Sequence, residues 1–312
     1  MTLDQLRIFI EVAERQHLTQ AAAALFLTPS AVSSSIKALE DRYGTALFDR
    51  VGRRIALNAA GSIFLTEARR ALASARSAEQ TLSDLGTMRR GALAIYASQT
   101  IASYWLPRLL VQFSQAYPAI DLTLEVGNTE QVAQATMLGG ADLGFIEGVI
   151  DEPALDSVAV GDDRLVIVVA PDHPWAAGAP LSATDLAQAQ WILRESGSGT
   201  RSAFETALAG MGVPVDALDI ALSLPSNEAV RSAVMAGPFA TAISELVVAS
   251  HLQAGLLVRA RLDLPARGFS MLHHPARHRS RAAAAFAEMV RAEIGTKHAS
   301  AVTAKNNGMV ME

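Results

Sequence analysis

Cysteine is missing from all 312 residues, which excludes a disulfide framework and thiolate chemistry. No apolar run reaches the roughly 20 residues that a membrane-spanning helix needs. Near the start, Asp4, Arg7, Glu11 and Glu14 interrupt any signal-peptide core. These absences predict a cytoplasmic protein with no membrane partner. Catalytic signatures are missing as well. The run SGSGT at Ser196–Thr200 lacks the second-position glycine of a G-x-S-x-G nucleophile elbow and the lysine of a P-loop. No G-x-G-x-x-G follows a strand-like run. His273, His274 and His278 have neither an H-E-x-x-H pattern nor a cysteine partner, so they read as a surface loop and not a metal site. No catalytic residue, metal or other cofactor is expected, and the chain is not read as an enzyme.

A surplus of positive charge is absent too, since the net charge is −5. Divided along the chain, the balance changes. Residues 1–90 hold 12 Lys/Arg against 9 Asp/Glu, or +3, and the remainder holds 14 against 22, or −8. A polyanion would therefore meet the N-terminal part, with an acidic body behind it. Plus three is a weak footprint for one copy, and two copies on one duplex would strengthen it. The length allows two or three domains.

What is present centres on Thr19–Glu40, TQAAAALFLTPSAVSSSIKALE. The alanine run favours helix, with Thr19 as a candidate cap. Thr28 then caps a second helix that opens on Pro29. Ala31, Val32, Ile36 and Leu39 form its apolar stripe, and Ser30, Ser33, Ser34 and Lys37 its polar side. Short hydroxyls at a helix start allow close approach to phosphate. That is the geometry of a helix-turn-helix, whose second helix enters the major groove. A plain helical hairpin in a core reads the same way, so context decides. Upstream, Leu3, Leu6, Phe9, Ile10 and Ala13 offer a first helix for the pair to pack on. Downstream, Leu47–Gly61 places Gly52 between two short runs that can pair, with Arg50, Arg53 and Arg54 near the tip as a basic wing.

In LDQLRIFIEVAER, LTQAAAALFLTPSAVSSSIKALE and GTALFDRVGRRIALNAAG, taken in order and at this spacing, the chain resembles the LysR-type transcriptional regulators. The resemblance continues to about Arg291. Pro29 stands where the family often has Gln, Ser34 where it often has Arg, and Asn58 where Thr is usual. Two long base-reading side chains are thus missing.

From Asn58 one long helix follows, with Leu65, Ala68, Leu72, Ala75, Glu79 and Leu82 at alternating spacings of three and four. A helix packed on its own domain would show the same pattern. The resemblance implies a dimerisation helix instead. Gly86 would end it, and Met88–Gly91 reads as a hinge. Strands and helices then alternate, as in an α/β layered domain. Strands are expected at Leu93–Ala97, Asp121–Val126, Leu143–Ile146, Arg164–Ala170, Trp191–Leu193, Ile220–Leu224, Ala240–Ile243, Leu256–Arg259 and Phe269–His273. Helices are expected at Thr100–Gln115, Glu130–Leu138, Thr200–Ala209, Asn227–Met235 and Ser280–Glu293.

The predicted fold class is α+β multidomain. Residues 1–58 form a winged helix-turn-helix DNA-binding domain and 59–90 a linker helix and hinge. Residues 91–294 form an α/β effector domain resembling the two-lobed type 2 periplasmic binding proteins. Lobe I takes about 91–162 and 266–294, lobe II about 163–265, and 295–312 is a flexible tail. DNA contacts are expected from Thr28, Pro29, Ser30, Ser33, Ser34 and Lys37, and from Arg50, Arg53 and Arg54. Partners are double-stranded promoter DNA, further copies in a homodimer or homotetramer, and RNA polymerase. A cytosolic solute-binding module or small-ligand enzyme with a helical extension is the competing reading, though it would not need the basic wing.

Two segments pair a strand end with small hydroxyl residues and a helix start, Ser98-Gln99-Thr100 and Ser196-Gly197-Ser198-Gly199-Thr200. Ordinary helix capping explains each alone. Facing each other across a cleft, they would bind a small anion with backbone N–H groups. Arg194 or Arg201 could add a charge-assisted contact, and Asn227 follows Ser226 at another helix start. Family position adds Thr129 and Glu147. RESGSGTR resembles the subgroup that answers inorganic sulfur anions or the phosphorylated and carboxylated metabolites of carbon fixation. The co-inducer is therefore expected to be an inorganic oxyanion or a small carboxylate or phosphate metabolite.

Overall fold

In the computed structural model the backbone is described for residues 1–51, 54–85 and 91–308. It divides close to Thr87 into two compact units. In the first, α1 (Leu3–Arg15) opens on a capping box between Thr2 and Gln5 and stops at Gln16, whose φ is 48°. The second helix, α2 (Leu18–Ala24), starts one residue before Thr19, so His17 and not Thr19 occupies its cap. Phe26, at φ 55°, turns the chain. Thr28 caps α3 (Pro29–Tyr43) by accepting from the Ala31 N–H at 3.2 Å, with Pro29 at its first turn.

Val32, Ile36 and Leu39 are buried on α3 against Leu6, Phe9, Val12 and Ala21, whereas Ala31, expected on the stripe, is exposed. The wing is an antiparallel pair, β1 (Phe48–Val51) and β2 (Arg54–Leu57). Asn58 then caps α4 (Ala59–Leu85) through the Gly61 N–H at 2.8 Å. Gly61 passes so close to Leu47 that an added Cβ would lie 2.1 Å from its carbonyl oxygen. The expected seam divides in two. Ala68 is buried, and Leu65 and Leu72 pack on the core of this unit, where Arg69 also pairs with Glu14 at 2.8 Å. Leu82 stays exposed. Gly52, Arg53, Gly86 and the hinge residues 88–90 lie outside the described residues.

The second unit is built on a nine-stranded sheet in the order β4-β3-β5-β11-β6-β9-β7-β8, with β10 added to β6. The strands are β3 (Gly91–Ser98), β4 (Ile120–Gly127), β5 (Leu143–Glu147), β6 (Asp156–Val169), β7 (Gln190–Arg194), β8 (Asp219–Leu224), β9 (Ala240–Ser244), β10 (Val258–Arg259) and β11 (Ala266–His273). The strand β6 begins eight residues earlier than expected, because Gly161, Asp162 and Asp163 interrupt the alternation a strand should show. Its first part pairs with β11 up to Arg164↔Ala266, and its second with β9 from Leu165↔Ser244. That change of partner is the boundary between lobes I and II.

Lobe I is packed by Phe113, Phe145, Phe269 and Phe286, and lobe II by Trp191, Phe204 and Leu208. Its helices include α5 (Leu106–Ala116) and α6 (Thr129–Leu138) in lobe I. Lobe II holds α7 (Ala183–Gln188), α8 (Gly199–Gly210), α9 (Asn227–Val234) and α10 (Glu245–Gln253). Of these, α7 and α10 were not expected. In place of one helix from Thr100, a π turn over Ile101–Trp105 precedes α5. Pro107, lacking an N–H, forces that widening. The last helix, α11 (Arg281–Gly308), continues well past Glu293, so the expected tail from Gly295 is helical to Gly308. Ala299, Ala301, Ala304 and Lys305 are all strong helix formers. Among the described residues, no single helix is long and apolar enough to cross a membrane.

Candidate nucleic-acid face and interlobe site

The structure sets the expected nucleic-acid residues on the open side of α3. Thr28, Pro29, Ser30, Ser33, Ser34 and Lys37 are all exposed, opposite the buried stripe. The hydroxyls of Thr28 and Ser30 lie 3.1 Å apart at the helix start. A first turn edged with hydroxyls carries partial positive charge and admits a phosphate closely. Arg50 on β1 is exposed as well. Arg54 is placed by its backbone, opposite Val51, and Arg53 lies outside the described residues.

The second site forms where strand ends of both lobes meet. Glu147 closes β5 and is buried, 1 % exposed. Ser98, at the end of β3, donates to its Oε2. Its Oε1 accepts from Thr100 Oγ1 at 3.3 Å and, from the first turn of α8, from Thr200 Oγ1 at 3.4 Å. Thr129 donates to the Glu147 backbone carbonyl at 3.2 Å. Asn227, at the start of α9, donates to Thr100 Oγ1 at 3.2 Å. Its own backbone N–H reaches Gln99 Oε1 at 2.9 Å, and Gln99 Nε2 donates to the Pro225 carbonyl at 3.1 Å. Six of the expected residues thus converge with Glu147 in one network, buried except at half-buried Gln99.

Ser198 and Gly199 sit at the start of α8, both buried. Gly199 is required here, since a Cβ would lie 2.2 Å from the Glu147 carbonyl oxygen and 2.5 Å from Thr129 Oγ1. Gly197 contributes its carbonyl, which accepts from the Glu130 N–H at 3.2 Å. Ser196, by contrast, is exposed. Arg201 pairs with Glu205 and donates to the Arg194 carbonyl, so it stays outside the ring. Arg194 is buried and donates to Asn227 Oδ1 at 2.7 Å.

Arg267, Asp163 and Ser244 complete the site and were not found from sequence. Arg267 Nε and Nη2 hold Asp163 Oδ2 at 2.8 and 2.5 Å, while Nη1 donates to Thr200 Oγ1 at 3.0 Å and lies 3.9 Å from Glu147 Oε1. Ser244 donates to Asp163 Oδ1 at 2.8 Å. All three stand just outside the runs that read as strands, Asp163 before Arg164–Ala170, Arg267 before Phe269–His273 and Ser244 after Ala240–Ile243, so no local pattern marked them. Burial pushes the Glu147 pKa above its ordinary value, against the pull of Arg267 and then Arg194, with Asp163 adding to the rise. Burial also opposes ionisation of Glu195, but hydrogen bonds and charge from Arg194 outweigh it and lower its pKa. The site therefore holds a carboxyl group that gives up its proton less readily than an exposed one, among hydroxyl and guanidinium donors.

The family description "Bacterial regulatory helix-turn-helix protein, lysR family" matches residues 3–62, and "LysR substrate binding domain" matches residues 86–295. A relative in Escherichia coli (strain K12), the uncharacterized HTH-type transcriptional regulator YeiE, is 37% identical over 284 residues, 90% of this chain and 94% of its own. The full-length regulator CbnR, solved with its target DNA, superposes with a TM-score of 0.65 at 23% identity, over 93% of this chain and 99% of its own. The Synechocystis PCC6803 CcmR regulatory domain, solved with 2-PG, gives 0.60 at 28% identity, over 66% of this chain and 98% of its own. The chain belongs to the LysR family: it is a DNA-binding transcriptional regulator that carries an effector-binding domain.

Proposed function

We propose that the ring around Glu147 receives a small oxyanion or small carboxylate or phosphate effector, and that its seating alters how two DNA-binding heads are presented to an operator. One observation carries the reading: hydroxyls from two facing segments and a buried guanidinium converge on a single carboxyl group. A guest oxyanion using Ser98, Thr100 and Thr200 meets Glu147 directly. Two anions in so dry a site repel strongly, so Glu147 joins the complex as a neutral acid that donates to the guest. The relative solved with 2-PG supports an oxyanion guest by likeness. Binding then takes up a proton and weakens as pH rises.

The test is a thermal-shift series on the full-length chain with sulfate, phosphate and small carboxylates between pH 5.5 and 8. A true effector raises the melting temperature by mass action. We expect larger shifts at the acid end and a flatter pH response in Glu147→Gln. No shift with any anion at any pH would remove this reading.

On the DNA side, Thr28, Pro29, Ser30, Ser33, Ser34 and Lys37 are proposed to face the major groove, and Arg50, Arg53 and Arg54 the flanking backbone or minor groove. The duplex demands more positive charge than one head supplies, which supports a cytoplasmic homodimer or homotetramer. RNA polymerase is the proposed downstream partner. A gel shift against the DNA upstream of the protein's own gene checks this, since a competing solute-binding module would leave that duplex unbound.

A further inference from the structure

Arginines use one edge of the guanidinium, Nε and Nη2, to grip an oxyanion side-on. In this chain that edge of Arg267 takes Asp163, and that of Arg194 takes Glu195 at 2.8 and 2.9 Å. Arg279, just before α11, has the same edge unpaired among the described residues. Its Nε and Nη2 are both buried from solvent, and neither has a hydrogen-bond partner there. His273, at the end of β11, repeats the situation, with a buried Nδ1 that has no partner among the described residues while Nε2 lies 3.5 Å from Asp156.

Both groups sit in one electrostatic neighbourhood. Burial, then the like charge of Arg291, lowers the Arg279 pKa, and Glu288 acts in the opposite sense. On His273, burial acts first, followed by Arg279, by Asp156 in the raising direction, and then by Arg291 and His274. Arg291 and Glu288, the charges that act on Arg279, occupy exposed positions on α11. An unanswered bidentate donor edge that also feels the like charge of Arg291 is costly unless an acceptor arrives.

We propose that the Nε/Nη2 edge of Arg279, with Arg291 and His273 beside it, is a second anion site on lobe I that takes a small phosphate or carboxylate. None of its residues belongs to the ring around Glu147. The inference stands whether or not that ring binds an effector. Site and ring occupy opposite ends of one ladder: Arg267 opposes Asp163, and six residues on, His273 opposes Asp156.

The test titrates the full-length chain with inorganic phosphate by calorimetry at fixed ionic strength, with Thr200→Val marking any binding that belongs to the cleft. Arg279→Gln should weaken one class of phosphate binding by roughly ten- to hundredfold, the scale of lost charge-assisted hydrogen bonds. The class removed by Thr200→Val, if present, should survive in Arg279→Gln. Arg291→Gln, at an exposed position, should weaken the same class more mildly, and Glu288→Gln should tighten it by removing a rival carboxylate. Unchanged phosphate binding in both arginine variants overturns the proposal, and Arg291→Gln decides alone if Arg279→Gln does not fold. Sedimentation velocity separates a free anion from a carboxylate of a second copy. A change of oligomeric state in Arg279→Gln with phosphate binding intact would overturn the small-anion site.

Discussion

Ser30, Ser33 and Ser34 stand exposed on α3, while Ser98, Thr100 and Thr200 are buried and hydrogen-bonded to one carboxyl group. The side chains are alike, but their energetic positions differ. An exposed hydroxyl trades water for a ligand at little cost to the fold. A buried one is part of the fold, so its loss leaves partners unsatisfied. The two faces should therefore respond differently to substitution. Changes on α3 should alter DNA recognition and spare stability, whereas changes in the cleft should alter both.

The sharpest contrast comes from Arg267→Ala. It strands the buried carboxyl groups of Asp163 and Glu147, and breaking a buried pair from one side costs about 3–5 kcal/mol. Chemical denaturation of the full chain should show that loss in the second unit. An unchanged midpoint would mean the pair is already solvated. Gly199→Ala comes next. Its methyl cannot fit beside the Glu147 carbonyl, so overpacking of about 1–3 kcal/mol is expected, with weaker effector response. Wild-type stability and response together would show that the lobes do not meet as described.

Smaller and conditional on pH is Glu147→Gln. The folded-state pKa of Glu147 is raised above its ordinary value of 4.5, so ionising it costs stability in the folded chain. Its contribution is complete below 4.5 and is lost as pH rises through the folded value. The variant should gain on wild type in melting temperature as pH increases, and a constant difference across that range would contradict the burial argument. Ser33→Ala should be smallest in stability, within about 0.5 kcal/mol, while weakening a specific operator more than random DNA. Equal losses on both duplexes would take base reading away from Ser33.

The same contrast explains what could be read in advance. The Thr28 cap, Pro29 at the helix start and the stripe of Val32, Ile36 and Leu39 are local patterns, legible within one turn or two. Ser98, Thr100 and Thr200 showed themselves as hydroxyls beside helix starts. Arg267 and Asp163 did not, because their partner lies 104 positions away and only the β6–β11 ladder brings them together. Thr19 misled because a good cap residue stood one position inside the helix, where packing of Ala21 and Ala22 had already fixed the start. The heptad-like spacing of α4 was real, but Leu65, Ala68 and Leu72 spend it on the core of their own unit. Periodicity reports that a face is covered and leaves open what covers it.

The ladder of β6 and β11 has a mechanical consequence. Both chain crossings between the lobes run through these neighbouring strands, joined at Arg164↔Ala266, rather than through separate loops. A rotation of one lobe against the other must therefore wind or unwind a two-strand ribbon, with the Asp163–Arg267 clasp mounted beside the pivot. The domain would respond to its guest as a torsion spring does, through angle, with restoring torque shared between that ion pair and the hydrogen bonds of Thr200, Asn227 and Gln99.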